Sequence, residues 1–344
     1  MSKIKVGALA GVAAFALAGW MVAAPPALAQ EKTLKVQTFF SPGSDSTVFW
    51  KNWAEEIGKK SNGRLKIEVF PSMQLGGKPG DLYNQARDGV VDGMFTLLGV
   101  NPGRFPKASV FELPFMAENA EIGSAAIMEL WETTDWLKDE FGDIVPIAIY
   151  TTPGNALNTK KPVTTLADFD GLRIRGSNKT IAKGLARMGA SAVGMSMPDA
   201  IQGMQQGVLD GIATSWAVSR AFKICDISDH HTDIPGLSLG TLVFGFNKDS
   251  WNSLSSDLQD MLRKESSIAL AQKIGAAGDA SQDRGMKACG ESGEIHKVAP
   301  AEYDRWKEKW VPLTEAWVEE MNGKGIDGKA LLADAKRLIE KHKM

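Results

Sequence analysis

Apolar positions recur along the first third of the chain with alternating strand and helix periods. Strand alternation occurs in "TLKVQTFF", in "GRLKIEVFP", where Leu65, Ile67 and Val69 share a face, and in "VVDGMFTL". Helical periodicity occurs between them, in "STVFWKNWAEEIGKKS" and "DLYNQARDG". Strands joined by helical crossovers predict a parallel sheet with helices on both faces.

The same alternation restarts in the middle of the chain. Strands are predicted in "DIVPIAIYTT", "LRIR", "SAVGMS" and "VLDGIATS", and helices in "NKTIAKGLARMGA" and "PDAIQGMQQG". A helix that ends in Gly, followed by a strand that begins V-x-D-G, occurs twice, as "ARDGVVDGMFT" and "MQQGVLDGIAT". We therefore expect two α/β domains that are built alike.

The chain becomes helical after "TLVFGFNKDSWNSL". The segment 255–290 predicts a long helix that breaks near Gly275 and Gly278. Two more helices are predicted in "AEYDRWKEKWVPLTEAWVEEMNGKG" and "DGKALLADAKRLIEKH". A strand-rich body with a helical tail fits two domains braced by helices that cross between them.

The first thirty residues have the pattern of a secretory signal peptide. Lys3 and Lys5 precede the apolar run "VGALAGVAAFALAGWMVAA", and Ala27-Leu28-Ala29 is a small-x-small cleavage site. We expect removal of residues 1–29. A retained membrane anchor is the alternative, although the apolar run is at the short end of what spans a bilayer.

Composition and charge exclude some classes of partner. The hydrophobic fraction of 44% is that of an ordinary globular protein. The chain has a net charge of −2, and loss of the basic signal makes the exported part slightly more acidic. This balance gives no electrostatic case for binding nucleic acid or an anionic membrane.

Both cysteines, Cys225 and Cys289, lie in the exported part, where oxidation is allowed. We expect two separate buried thiols, because free cysteine is among the most buried residue types. A disulfide is the alternative, and it requires a short Cα separation that the sequence does not reveal.

The sequence lacks the usual signatures of an exported enzyme. It has no G-x-S-x-G elbow, no H-E-x-x-H helix and no C-x-x-C pair, and His296 lies in a predicted surface strand, "GEIHKVAP". His230 and His231, with Asp229 and Asp233 nearby, are metal-ligand types, but neighbouring side chains diverge. We interpret them as a polar loop after a strand, and we expect no catalytic residue, metal or cofactor.

Two arginines stand one residue apart in "DFDGLRIRGSN". Residues two apart in a strand share a face, so Arg173 and Arg175 point the same way. Arg175 ends the strand, and Ser177 or Asn178 then fits the N-cap of a helix. A guanidinium beside a helix N-terminus suits a carboxylate ligand, whereas the alternative is a surface arginine paired with a nearby aspartate. The residues alone leave both open.

Several motifs in order resemble one protein family over nearly the whole exported chain. They are "GRLKIEVFPSMQLG", "RDGVVDG", "PGRFPKASVFELPF", "KPVTTLADFDGLRIR", "GASAVGMSMPDAIQGMQQGVLDG" and "FGFNKDSWNSL". The series is similar to the solute-binding component of tripartite ATP-independent periplasmic (TRAP) transporters, of the C4-dicarboxylate-binding (DctP) type. Each motif alone is weak, and the ordered series is specific.

The resemblance implies roles for individual residues. Arg175 matches the arginine that holds the ligand carboxylate, and Arg173 matches a position with a supporting or solvent role. The pocket of the family also uses positions that correspond to Thr214, Ser215, Trp216 and Met197.

Departures from the family pattern bear on the substrate. Members that bind sialic acid or C4-dicarboxylates commonly have Q-E-N-P after the second D-G, where this chain has Thr214 in place of the asparagine. Many of them also have a second arginine in the segment that here reads "YTTPGNALNTKKP", which offers Asn155 instead. A single arginine favours a monocarboxylate.

Four apolar or polarizable side chains would line a pocket suited to a ring or a branched chain. They are Phe40, Met197, Trp216 and Phe244. Their alternative role is packing in the core, which is usual for such residues.

The resemblance implies an α/β, two-domain, periplasmic-binding-protein-like fold, in which each domain is a sheet flanked by helices. Long C-terminal helices brace the two domains. We place domain I at 30–152 with about 245–285 and domain II at 153–244 with about 286–344. The ligand cleft is expected between them.

The predicted function is that of a periplasmic receptor and not of an enzyme. It would capture an organic monocarboxylate, such as an aromatic or 2-oxo acid, and deliver it as a monomer to the membrane permease subunits of a TRAP transporter. The alternatives are binding of a C4-dicarboxylate or sugar acid, an exported hydrolase or lyase, and a sensor-linked binding protein.

Overall fold

The computed structural model describes residues 32–154, 156–195, 197–237 and 239–344, so the predicted signal peptide lies outside the described part. The elements up to residue 151 are β1 (Lys32–Gln37), α1 (Asp45–Lys60), β2 (Leu65–Phe70), α2 (Leu82–Arg87), β3 (Gly93–Leu97), α3 (Ala120–Thr133) and β4 (Ile144–Thr151). The next are β5 (Ala156–Thr159), β6 (Arg173–Arg175), α4 (Lys179–Arg187), β7 (Ser191–Val193), α5 (Met197–Gln205), β8 (Gly211–Thr214), α6 (Trp216–Ala221), β9 (His230–Asp233) and β10 (Thr241–Asn247). The last are α7 (Lys248–Asn252), α8 (Ser256–Glu265), α9 (Ile268–Ser292), β11 (Glu294–Lys297), α10 (Pro300–Gly323) and α11 (Gly328–Lys343).

The strands form two sheets, as expected, but each sheet is mixed and not purely parallel. The first has the order β2-β1-β3-β10-β4, and β10 is antiparallel to both of its neighbours. The second has the order β11-β9-β5-β8-β6-β7, and β5 is antiparallel to β8 and β9. The helical crossovers predicted the parallel pairs correctly. The antiparallel strands β5 and β10 are the first strands after the chain passes from one sheet to the other.

The first sheet packs against a core rich in aromatic side chains, into which its first strands bury their apolar residues. Leu65 and Ile67 of β2 are buried and Val69 is half-buried, as the alternation predicted. Trp50 of α1 lies against the sheet and donates its indole N–H to the hydroxyl of Tyr150 at 3.0 Å. Burying large rings and satisfying their polar atoms inside the same cluster favours one arrangement of helix and sheet.

Helix α9 continues through the two glycines at which a break was predicted. The break lies earlier, at Ser266 and Ser267, where the hydroxyl of Ser267 accepts a hydrogen bond from the N–H of Leu270 and caps α9. A Cβ at Gly275 would lie 2.4 Å from the carbonyl oxygen of Ala120. The glycine is therefore required for close packing of α9 on α3, and this requirement outweighs its weak helix propensity.

The C-terminal helices contact the cores of both sheets, which confirms the predicted bracing. In α10, Trp306 and Trp310 pack into the core of the second sheet, and Trp317 packs into the core of the first. The apolar face of α11, including Leu331 and Leu338, also packs into the core of the first sheet. The predicted domain boundaries stay a prediction.

Within the described residues, none of the helices combines the length and the apolar character needed to cross a bilayer.

One buried carboxylate gives the fold a testable pH dependence. Glu140 accepts the backbone N–H of Lys107 at 2.6 Å and of Ala108 at 3.0 Å, and burial raises its pKa to about 7 from 4.5. A carboxyl pKa that is higher in the folded chain stabilises the fold below about pH 4.5, and this contribution is lost as pH rises to about 7. Compared with Glu140→Gln, the wild type should lose about 3 kcal/mol of unfolding free energy between pH 4.5 and 8. Urea unfolding of both proteins across this range measures the difference, and parallel pH profiles would contradict it.

Candidate ligand-binding site

Three parallel strands of the second sheet end at one edge, and they bring predicted site residues together there. Arg175 is the last residue of β6, where it lies level with Val193, the last residue of β7, and with Ile212 of β8. Thr214 ends β8 two residues beyond Ile212. Because paired residues and residues two apart in a strand share a face, Arg175 and Thr214 project to the same side of this edge.

The guanidinium of Arg175 is partly buried, and among the described residues it has no acidic partner. Its Nε donates to the carbonyl oxygen of Met195 at 3.3 Å, and in the described part of the chain no carboxylate lies within ion-pair distance of it. Burial alone lowers its pKa, because the charged form loses solvation without gaining a counter-ion. An arginine remains protonated under such a shift. The site therefore presents a desolvated cation that an anion would stabilise.

Arg173 projects from the same face of β6 as Arg175 but differs from it in exposure and in hydrogen-bond partners. It is exposed and forms a two-point ion pair with Asp210, with Nε–Oδ2 at 3.0 Å and Nη2–Oδ1 at 3.1 Å. Its backbone N–H also donates to Asp210. The expected pairing of an arginine with an aspartate thus applies to Arg173 and, within the described residues, not to Arg175.

A helix begins directly after Arg175. The side chain of Asn178 accepts the backbone N–H of Ile181 at 2.8 Å, so Asn178, one of the two predicted residues, is the N-cap of α4. Gly176 makes the turn possible, since a Cβ there would lie 2.7 Å from the backbone nitrogen of Ala182. The N-terminus of α4, which is the positive end of its dipole, therefore begins within four residues of Arg175 along the chain.

Met197 belongs to the elements that follow the same strand ends. It is the first residue of α5 and packs, half-buried, against the apolar cluster that contains Ile212, the residue level with Arg175. Arg175, Thr214 and Met197 therefore lie around the same strand ends.

Trp216 comes two residues after the end of β8, but its indole ring is buried inside the protein. Its Nε1 donates to Asp233 at 3.2 Å, and its ring packs with Cys225 and Cys289. The side chain of Ser215 accepts the N–H of Val218 and caps α6 at this point. Trp216 also lines a cavity of about 190 Å³, to which Arg175 does not contribute.

The two phenylalanines belong to the first sheet. Phe40 lies beyond the end of β1, half-buried, and its ring stacks on Phe39 at 4.3 Å between centroids. Phe244 is fully buried in β10, where its ring contacts Trp50 at 4.3 Å and Trp53 at 5.4 Å between centroids. These contacts favour core packing for Phe244 and leave Phe40 partly available. Asn155 lies outside the described residues.

The expectation of two separate thiols is wrong. Cys225 and Cys289 form a disulfide, with their Cα atoms 5.0 Å apart, within the range that the bond requires. The bond joins the turn after α6 to α9, on which Trp216 packs. Folding brings together two cysteines that the sequence separates by 64 positions.

The interpretation of His230 and His231 as a loop is also wrong, since both belong to strand β9. Their side chains diverge, as expected for neighbours in a strand. His231 is buried and its Nδ1 lies 2.9 Å from the side-chain oxygen of Asn158, whereas His230 contacts His296. Burial lowers the pKa of His231 to about 4, so this histidine is neutral at pH 7.

Comparison with protein families gives one match over most of the chain. Residues 37–320 match the sequence profile of the family described as bacterial extracellular solute-binding protein, family 7 (DctP).

Solved structures share the whole fold. A TRAP solute-binding protein from Rhodoferax ferrireducens, in complex with copurified benzoate, is 36% identical, covers 91% of this chain and 98% of its own, and has a TM-score of 0.85. A marine metagenome TRAP solute-binding protein specific for aromatic acid ligands, with 3-hydroxybenzoate, is 33% identical, with coverage of 92% and 100% and a TM-score of 0.86. A TRAP periplasmic solute-binding protein from Bordetella bronchiseptica with bound mandelate is 30% identical, with coverage of 90% and 99% and a TM-score of 0.81. The predicted two-domain periplasmic-binding-protein fold is confirmed.

Proposed function

Because the chain belongs to the TRAP solute-binding proteins of the DctP family, and is therefore a binding protein and not an enzyme, we propose that it captures an aromatic monocarboxylate. It acts in the periplasm after removal of residues 1–29 and delivers the acid to TRAP permease subunits. The observation that carries the proposal is the partly buried guanidinium of Arg175, which lacks an acidic partner among the described residues.

The carboxylate of the ligand pairs with Arg175 through two parallel hydrogen bonds, the geometry that a guanidinium favours. Thr214 lies on the same side of the sheet edge and supplies a hydroxyl for the second carboxylate oxygen. The dipole of α4 adds positive potential. Among the side chains that the structure describes at this edge, Arg175 is the cation without a carboxylate partner, which matches a ligand with one carboxylate better than a ligand with two.

An aromatic ring suits the apolar groups near the site and the ligands of the similar structures. Met197 provides a polarizable thioether against the cluster that contains Ile212, the strand neighbour of Arg175, and Phe40 provides a ring of the first sheet that is only partly covered. The similar proteins hold benzoate, 3-hydroxybenzoate and mandelate. Closure of the two domains over the ligand would exclude water from the ion pair and so favour the closed state.

A thermal-shift panel tests the substrate class. Benzoate, 3-hydroxybenzoate and mandelate should raise Tm, because a ligand at 100 times its Kd adds about 2.7 kcal/mol to the unfolding free energy. Benzamide keeps the ring without the charge, and cyclohexanecarboxylate keeps the charge without the aromatic ring. Benzamide should give no shift, and cyclohexanecarboxylate should give a smaller shift than benzoate. A larger shift with succinate or glucuronate would contradict the monocarboxylate assignment.

A further inference from the structure

Two imidazoles and a carboxylate converge at the edge of the second sheet, away from Arg175. The parallel strands β9 and β11 place Glu294 level with His230, and His296 stands two residues after Glu294 on the same strand. Paired residues and residues two apart share a face of the sheet. The three side chains therefore project to one side, although the sequence separates His230 from the other two by more than sixty positions.

The distances between the side chains are close to those of a metal site. His230 Nδ1 lies 3.0 Å from His296 Nε2, and Glu294 Oε2 lies 3.7 Å from His230 Nδ1. Ligand atoms bound about 2.0–2.1 Å from a tetrahedral zinc ion are about 3.3 Å apart. Glu294 Oε1 lies 3.8 Å from His296 Nδ1, and one ligand atom of each of the three residues lies within 4.8 Å of the others, so side-chain rotation would bring the three to that geometry.

The cluster is also open to solution. The side chains of His230 and His296 are 24% and 13% exposed, and that of Glu294 is 68% exposed. In the described part of the chain, the other convergence of three such ligand types is Cys225, His231 and Cys289, and its sulfurs are joined in the disulfide.

We propose that His230, Glu294 and His296 bind a transition-metal ion, with Zn²⁺ as the best fit to two imidazoles and one carboxylate. Water fills the fourth position. Zn²⁺ would take the place of the hydrogen bond between the two rings, with release of its proton to the solvent, and would bridge β9 to β11. Because β11 is the edge strand of the sheet, the ion would hold in place a strand that has a pairing partner on one side only.

Titration of tag-free protein with Zn²⁺, in a buffer that does not chelate metal, tests the site. The wild type should bind one Zn²⁺ per chain, EDTA should reverse the binding, and Mg²⁺ should not compete because it prefers oxygen ligands. His296→Ala should weaken binding at least tenfold. The matched control is His342→Ala, whose imidazole contacts Glu129 outside the cluster and whose loss should leave Zn²⁺ affinity unchanged.

A second variant keeps the test decisive if His296→Ala folds poorly. Glu294→Gln removes the charge from an exposed side chain and should also weaken Zn²⁺ binding at least tenfold, with an unchanged circular dichroism spectrum. The NMR signals of the His230 and His296 rings should shift with Zn²⁺, while that of His342 should not. Absence of Zn²⁺ binding in the wild type, or wild-type affinity in both variants, would overturn the site.

Discussion

Arg175→Ala should abolish the binding of benzoate and of every other acid that binds the wild type, while the protein stays folded. In the complex, removing one partner of a buried, hydrogen-bonded charge pair costs about 3 kcal/mol or more, which is a loss of affinity of at least about 100-fold. The unliganded protein loses no ion pair, since the described residues give Arg175 no acidic partner. Its Tm without ligand should therefore change little.

Arg173→Ala is the matched control for this experiment. It removes a guanidinium from the same face of the same strand, but one that is exposed and paired with Asp210. Titration calorimetry with benzoate should give wild-type affinity for Arg173→Ala and no measurable heat for Arg175→Ala. Equal loss in both variants would show that strand β6 matters only structurally, and retained affinity in Arg175→Ala would refute its role as the anchor.

Removal of the disulfide should have the largest effect on stability. The bond between Cys225 and Cys289 closes a loop of 64 positions, which runs through β9 of the second sheet and β10 of the first. By the entropy of loop closure, its loss destabilises the fold by about 4 kcal/mol. The double variant Cys225→Ala/Cys289→Ala should therefore unfold at a clearly lower urea concentration than the oxidised wild type.

A reductant provides the control for the disulfide. Wild-type protein unfolded in the presence of a phosphine reductant should match the double variant, and the reductant should leave the variant itself unchanged. Equal urea midpoints for oxidised wild type and variant would show that the cross-link contributes nothing. The packing of Trp216 on the bridge predicts a change in tryptophan emission on reduction.

Hydrophobic periodicity predicted the strands and helices whose buried side chains are mainly apolar. It succeeded for β1, β2 and α1 because most of the side chains that these elements bury are apolar. It missed β5, whose residues "ALNT" are all buried although two of them are polar, and β9, whose polar sequence "HHTD" is buried at its two central residues. Asn158 of β5 bonds to Ser219 and His231, so these strands are stabilised by a polar network between distant segments, which local hydrophobicity does not report.

The sequence predicted the part of the candidate site that lies within one strand and the helix that follows it. The position of Arg175 at the end of β6 and the cap at Asn178 follow from local sequence. The partner of Arg173 does not, because Asp210 reaches it only through the pairing of β6 with β8. The same holds for the disulfide and for His230 with His296, since each depends on strand order or helix packing.

The central claim is that Arg175 anchors the single carboxylate of an aromatic acid, and a crystal structure of the protein with 3-hydroxybenzoate tests it most directly. Both carboxylate oxygens should lie about 2.7–2.9 Å from the guanidinium nitrogens of Arg175, with the ring covered by apolar side chains of both sheets. A ligand whose carboxylate is held elsewhere, with Arg175 turned to solvent or paired with an acidic side chain, would contradict the account.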